Sequence, residues 1–201
     1  MDRSQPVTGS ATDNVDLARS EQYRFLARLL SKAPDAATLD AMAALKGDST
    51  ALGQAFGALA DAAAETDAKA AEREYFELFV GVGRGELLPY ASFYLTGFLN
   101  ERPLAELRGD LARLGIARAE GRHEPEDHIA LLCEVMADMA DGTLAMDAET
   151  QAAFFKSHIA PWAAQFFDDL AVAPSARLYR PLAEIGRLIV DIESRAFQLA
   201  A

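Results

Sequence analysis

The side chains with the most chemistry to offer are few and scattered: three histidines, His123, His128 and His158, and one cysteine, Cys133. A metal site built on a helix needs two ligands at i and i+4, and a structural zinc wants four ligands at close spacing. No pair among these four residues has that spacing, so no metal is expected. Asp127 beside His128 offers a general base, but a catalytic dyad also needs a nucleophile. Cys133 falls on an apolar stripe and reads as a buried structural thiol. A hydrolase using Ser92 with His128 is conceivable on residue types alone, yet neither a nucleophile elbow nor an oxyanion element accompanies them. Asp127 has a second use. Placed in the first turn of a helix after the Glu124-Pro125 turn, it is expected to be exposed and to project into a groove, where a carboxylate accepts paired hydrogen bonds from an arginine. The row Asp127, Glu134, Asp138, Asp141 otherwise reads as a solvated helix face.

Gly81, Gly83 and Gly85 suggest a phosphate loop, but Glu86 stands where the dinucleotide fingerprint needs its third glycine. No strand precedes them and no Gly-Lys-Ser/Thr follows, so neither phosphate motif has its mechanics. Three glycines in five residues instead interrupt a helix and make a mobile interhelical loop. Pro89, Tyr90, Phe93 and Tyr94 follow it and admit two readings: core packing, or a groove wall offering aromatic faces to an apolar or cationic peptide.

The elements that must position these residues read as helix after helix. Tyr23, Leu26, Ala27 and Leu30 recur at i, i+3, i+4 and i+7, predicting a helix over residues 16–31. Residues 35–46 and 49–64 follow, separated by Gly47 with Asp48 or Ser49 as an N-cap. A helix capped at Thr66 or Asp67 runs to Val80 and straight into the glycine loop. Residues 91–99 and 103–115 form two more, with a connecting loop over 116–123. Pro125 opens a helix to about residue 141, whose broad face of Ile129, Leu132, Cys133, Met136 and Met139 predicts a central, buried element. Residues 147–159 are helical, Pro161 breaks the pattern, and a stripe of Trp162, Phe166 and Leu170 resumes it. Leu178, Leu182, Ile185, Ile189 and Ile192 close the chain as a long helix, kinked or started by Pro181. No segment shows strand alternation. The expected fold is all-α, one domain of about nine or ten helices over residues 15–201, preceded by a loose tail over 1–14 that lacks apolar periodicity.

With 31 acidic against 19 basic residues the formal charge is −12, which disfavours nucleic acid and anionic membrane and suits a cationic partner. A lone cysteine, no signal-like N-terminus and no apolar run near 18 residues are read as a soluble, cytoplasmic chain.

Three ordered stretches resemble the TorD/DmsD family of redox-enzyme maturation chaperones, grouped also with NarJ. They are the string YFELFVGVG followed by PYASFY at residues 75–94, EPEDHIA with EVM at 124–136, and His158-Ile159-Ala160-Pro161-Trp162 with Phe166. The resemblance implies an all-helical, non-catalytic chaperone without a cofactor of its own. Such a protein binds the twin-arginine leader of an apo-molybdoenzyme and holds that client until its molybdenum cofactor is inserted. Carried over residue by residue, the leader-binding positions are Gly83, Pro89, Tyr90, Ser92, Tyr94, Asp127 and His128. The sequence departs from many relatives in having Gly-Val and Gly-Arg in the loop where Gly-Pro is common, and Tyr90 where tryptophan is common. The stretch GVGRGELLPY with YLTGFLN looks most like members associated with formate dehydrogenases, while reductases of dimethyl sulfoxide, trimethylamine N-oxide or nitrate stay open as clients. The alternative is a helical adaptor that binds a folded partner through the same groove. Monomer and dimer, the latter by helix exchange through the 116–123 linker, both stay open.

Overall fold

Alanine- and leucine-rich segments with polar caps form the helices, and the computed structural model describes residues 11–117 and 124–199 of the chain. In order these are α1 (Ala11–Ser31), α2 (Ala36–Ala43), α3 (Ala51–Ala64), α4 (Ala68–Tyr75), α5 (Ala91–Thr96), α6 (Arg102–Arg113), α7 (Ile129–Ala140), α8 (Ala148–His158), α9 (Ala163–Val172) and α10 (Tyr179–Leu199). A π-helical stretch, Phe76–Val80, extends α4. Among the described residues there is no strand, only one isolated antiparallel bridge between Tyr90 and His128. The all-α expectation and its helix count are met.

Caps explain most of the boundaries. Asp35, Asp67 and Asp147 each accept a backbone N–H from the first turn of α2, α4 and α8. Thr50, rather than Asp48 or Ser49, caps α3; Asp48 instead binds the Thr50 N–H and hydroxyl and so holds the cap in place. The helix of residues 11–14 replaces the last part of the expected tail, whose residues 1–10 lie outside the described residues, as does most of the 116–123 loop. Pro181 sits in the first turn of α10, where its missing N–H costs nothing, so it marks a start and not a kink. The break at Pro161 separates α8 from α9 as its chemistry requires.

The core is built on α1 against α7 and α10 against α9 and α3. Trp162, Tyr23, Tyr179, Phe155, Phe166 and Phe167 are its largest fully buried side chains. α7 is central as its wide apolar face predicts, and Cys133 on that face is buried, which pushes its thiol up to about 12 and leaves it inert at neutral pH.

Glu193 of α10 is buried against Arg19 and Tyr23 of α1, and two further buried carboxylates accept backbone N–H groups from distant parts of the chain. Glu74 of α4 accepts from the N–H groups of Arg177 (2.7 Å), Leu178 (3.1 Å) and Tyr179 (2.8 Å), filling the donor end of α10 from a distant part of the chain. The other is Asp127.

Candidate functional site

α4 does not stop at Tyr75 but widens, and the Gly81 N–H reaches back five residues to the Phe76 carbonyl at 2.7 Å. The chain then turns sharply. Gly83 lies at the exposed tip with φ +88, a left-handed conformation that a side chain resists. Gly85 has ordinary φ but passes so close to the π-helical stretch that an added Cβ would meet the Leu78 carbonyl oxygen at 2.6 Å. The two glycines thus serve different needs: one turns the loop, the other lets it pack.

This fold-back delivers Pro89 and Tyr90 against the turn that precedes α7. The Ala91 N–H donates to the Asp127 carbonyl (3.0 Å) and the Ile129 N–H to the Pro89 carbonyl (2.9 Å). The rings of Tyr90 and His128 meet edge to face at 5.1 Å, and the Tyr90 hydroxyl donates to Glu124. The sequence-predicted site residues on these two segments are therefore brought together directly, as a closed clamp with no groove between its halves.

Asp127 departs from expectation. It is fully buried and precedes α7, which starts at Ile129 with His128 as its N-cap; the turn at Pro125 is closed by the His128 N–H on the Pro125 carbonyl at 3.1 Å. One carboxylate oxygen accepts the Ser92 N–H at 2.8 Å, securing the first turn of α5, while the other is buried without a partner. Asp127 in this geometry is a positioning residue for residues 89–94, and no solvent-exposed face of it is available to an arginine.

Ser92 is buried as well, and its hydroxyl has no hydrogen-bond partner. His128 Nδ1 accepts the Ala130 N–H at 3.1 Å, so that nitrogen is committed to the helix cap and no Ser-His dyad forms. Burial, opposed by Glu124 and Asp127, pulls the His128 imidazole down to about 4, leaving it neutral at pH 7 with its proton on Nε2. The Tyr90 phenol is pushed well above its usual range, by burial first and Glu124 second, and so remains a donor.

Tyr94 tilts against Trp162 at 5.4 Å and donates to Asp169 at 3.0 Å, which anchors α5 to α9. Pro89 is buried; Tyr90 and Tyr94 are half-buried. The sequence reading passed over two features here. Glu124 is the exposed carboxylate of the clamp, and exposed apolar side chains bracket residues 89–94 in sequence: Val82 (97% exposed), Leu95, Phe98 (69%) and Leu99. Arg84 lies over the Phe93 ring at 5.4 Å and holds the glycine loop near α5. The signal was present in the run YLTGFLN, whose apolar residues outlast the helix that Gly97 ends at φ +83.

The acidic row on α7 is not uniformly solvated. Asp138 and Asp141 hold Arg24 of α1 at 2.7 and 2.6 Å, and Glu126 pairs with Arg108 of α6 at 2.7 Å. Among the described residues no group of three or more His, Cys, Asp and Glu is placed to hold a metal ion, and no helix is long and apolar enough to cross a membrane.

The fold is an all-helical domain in which residues 89–94 close against the turn before α7, and comparison with known proteins gives the family. The family model described as nitrate reductase delta subunit matches residues 45–168, and the chain belongs to this family, the TorD/NarJ group. It is 27% identical over 127 residues to the chaperone protein TorD of Vibrio cholerae, covering 59% of this chain and 58% of that protein's length. It is 34% identical over 68 residues to chaperone protein TorD of Aliivibrio fischeri, covering 33% of this chain and 32% of that one. A crystal structure described as a redox enzyme maturation protein from Archaeoglobus fulgidus superposes with a TM-score of 0.52 over 94% of this chain and 99% of the other, at 17% identity, a likeness of fold.

Proposed function

We propose that this protein is a cytoplasmic chaperone that binds the twin-arginine leader of an apo-molybdoenzyme and holds that enzyme until its cofactor is inserted. The observation that carries the reading is the clamp between residues 89–94 and 124–129, flanked by exposed apolar side chains on an otherwise acidic protein. A leader of this type joins two arginines to an apolar run. The apolar run lies along Val82, Leu95, Phe98 and Leu99, with the turn at Gly83 free to adjust.

The arginines meet the Glu124 side of the clamp. Glu124 is exposed and carries the Tyr90 hydroxyl, and a guanidinium exchanges onto such a carboxylate in competition with the partners it already has. Pro89, Tyr90 and Tyr94 form the wall; Ser92, Asp127 and His128 hold that wall in register from beneath. Neutral His128 matters here, because an imidazolium would repel the arginines. The activity is binding, with no catalytic step. A formate dehydrogenase is the client favoured by the loop sequence.

Cells lacking the protein test the reading: the client molybdoenzyme is expected to accumulate without molybdenum, and the wild-type gene to restore its metal content. Full molybdenum occupancy in the absence of the protein, with binding to the folded client retained, would favour the adaptor instead.

A further inference from the structure

Glu86, which stands where a phosphate loop would need glycine, has a partner 89 residues away. Its carboxylate accepts both the Ser175 hydroxyl and the Ser175 N–H (3.2 Å), in the turn that leaves α9. Further along the same strip the Tyr94 hydroxyl donates to Asp169 of α9 at 3.0 Å. The chain from Glu86 to Tyr94 is therefore fastened at both ends to α9 and its exit, with Pro89 and Tyr90 of the clamp between the two attachments.

The glycine loop meets this strip at Glu86. The Glu86 N–H donates to the Glu77 carbonyl (3.0 Å) and the Leu87 N–H to the Leu78 carbonyl (2.8 Å), so the main chain closes the base of the loop on the π-helical stretch. The Glu86 side chain closes it a second time, on a different element. Leu87 is buried, whereas Glu86 is exposed and Ser175 half-buried.

Stability does not account for the pair. Glu74, at the other end of the segment, already holds the start of α10 through the Arg177, Leu178 and Tyr179 N–H groups from a buried position. An exposed carboxylate on a serine adds little to that joint, because water competes for both groups. What the contact sets is position: Val82 and Gly83 lie on one side of Glu86 in the chain, Pro89 and Tyr90 on the other.

We propose that Glu86 and Ser175 are a positioning pair for the leader site, holding the glycine loop and the clamp wall in one arrangement before the peptide arrives. The pair rests on the leader-binding reading above. A loop already held in place loses less freedom on binding, so these residues contribute affinity without touching the leader.

Titration calorimetry with a molybdoenzyme leader peptide, together with limited trypsin cleavage after Arg84 and denaturant unfolding, tests the pair. Arg84 is exposed, so its cleavage rate reports the freedom of the loop in the absence of any leader. Glu86→Ala and Ser175→Ala are each expected to speed that cleavage and to weaken leader binding roughly threefold to tenfold, at an unchanged unfolding midpoint. The double variant is expected to match Glu86→Ala, since both residues act through one contact. Ser175→Thr keeps a hydroxyl donor and is expected to bind as wild type does. Leader affinity unchanged in both alanine variants, losses that add in the double variant, a threonine variant as weak as the alanine one, or a loss matched by a fall in the unfolding midpoint would each overturn the assignment. A wild-type protein that binds no leader would instead overturn the reading on which the pair rests, and the cleavage rates would still show whether the contact holds the loop.

Discussion

Glu74 and Asp127 are both buried carboxylates that receive backbone N–H groups at the start of a helix, yet they are satisfied to different degrees. Glu74 meets three donors with its two oxygens and closes the end of α10. Asp127 meets one, the Ser92 N–H, and leaves an oxygen buried without a partner, as is the Ser92 hydroxyl. Buried polar atoms are nearly always paired, because each unpaired one costs on the order of 1–3 kcal/mol. The difference separates a joint made for stability from one that tolerates an unfavourable arrangement next to the surface where a ligand is proposed to bind.

That contrast is breakable. Glu74→Ala strands three buried donors and is expected to cost about 3 kcal/mol or more in denaturant unfolding, while leader affinity in the folded fraction stays unchanged. A loss of affinity without a loss of stability would invert the comparison. Lowering the pH acts on the clamp. His128 titrates near 4 in the folded protein against about 6.5 unfolded, so its contribution is whole above pH 6.5 and shrinks as pH falls toward 4. Burial of a neutral imidazole on this scale corresponds to roughly 3 kcal/mol, and the wild-type curve is expected to lose that much more than His128→Asn between those pH values. Parallel curves for the two proteins would show that His128 is not held neutral by the clamp.

Smaller effects sharpen the comparison. Asp127→Ala removes the acceptor for one N–H at α5 and should cost about 1–2 kcal/mol, less than Glu74→Ala, yet weaken leader binding roughly tenfold by loosening residues 89–94. Asp127→Asn keeps an acceptor for the Ser92 N–H and removes a buried charge, so its stability is expected within about 1 kcal/mol of wild type. Stability equal to the Ala variant would mean that charge, not the hydrogen bond, holds the joint. Phe98→Ser alters only an exposed side chain and should change stability by less than about 0.5 kcal/mol while lowering leader affinity.

Local signals made most of the fold legible in the sequence: the 3.6-residue period of α1 and α10, the cap at Thr66 or Asp67, the break at Pro161. The juxtaposition of Pro89-Tyr90 with Asp127-His128 was legible only through family resemblance, since 35 residues separate Ser92 from Asp127. Asp127 misled because a polar residue after a proline has the local signature of an exposed first turn, and burial is decided by what packs over it. Glu74 gave no warning at all. Within AKAAEREY it reads as an ordinary helical charge, and the donors that justify its burial lie 103 to 105 residues later. The widening at Phe76–Val80 has no sequence code either; it follows from how residues 81–87 fold back on the helix, with the Leu87 N–H on the Leu78 carbonyl at 2.8 Å.

The most direct test of the clamp as a leader site is titration calorimetry of the protein against a molybdoenzyme leader peptide and the same peptide with both arginines replaced by lysine. Binding to the arginine form, at least about tenfold weaker for the lysine form and for Glu124→Gln, is the predicted result. Equal affinity for both peptides, or no binding to any molybdoenzyme leader from the same genome, would contradict it.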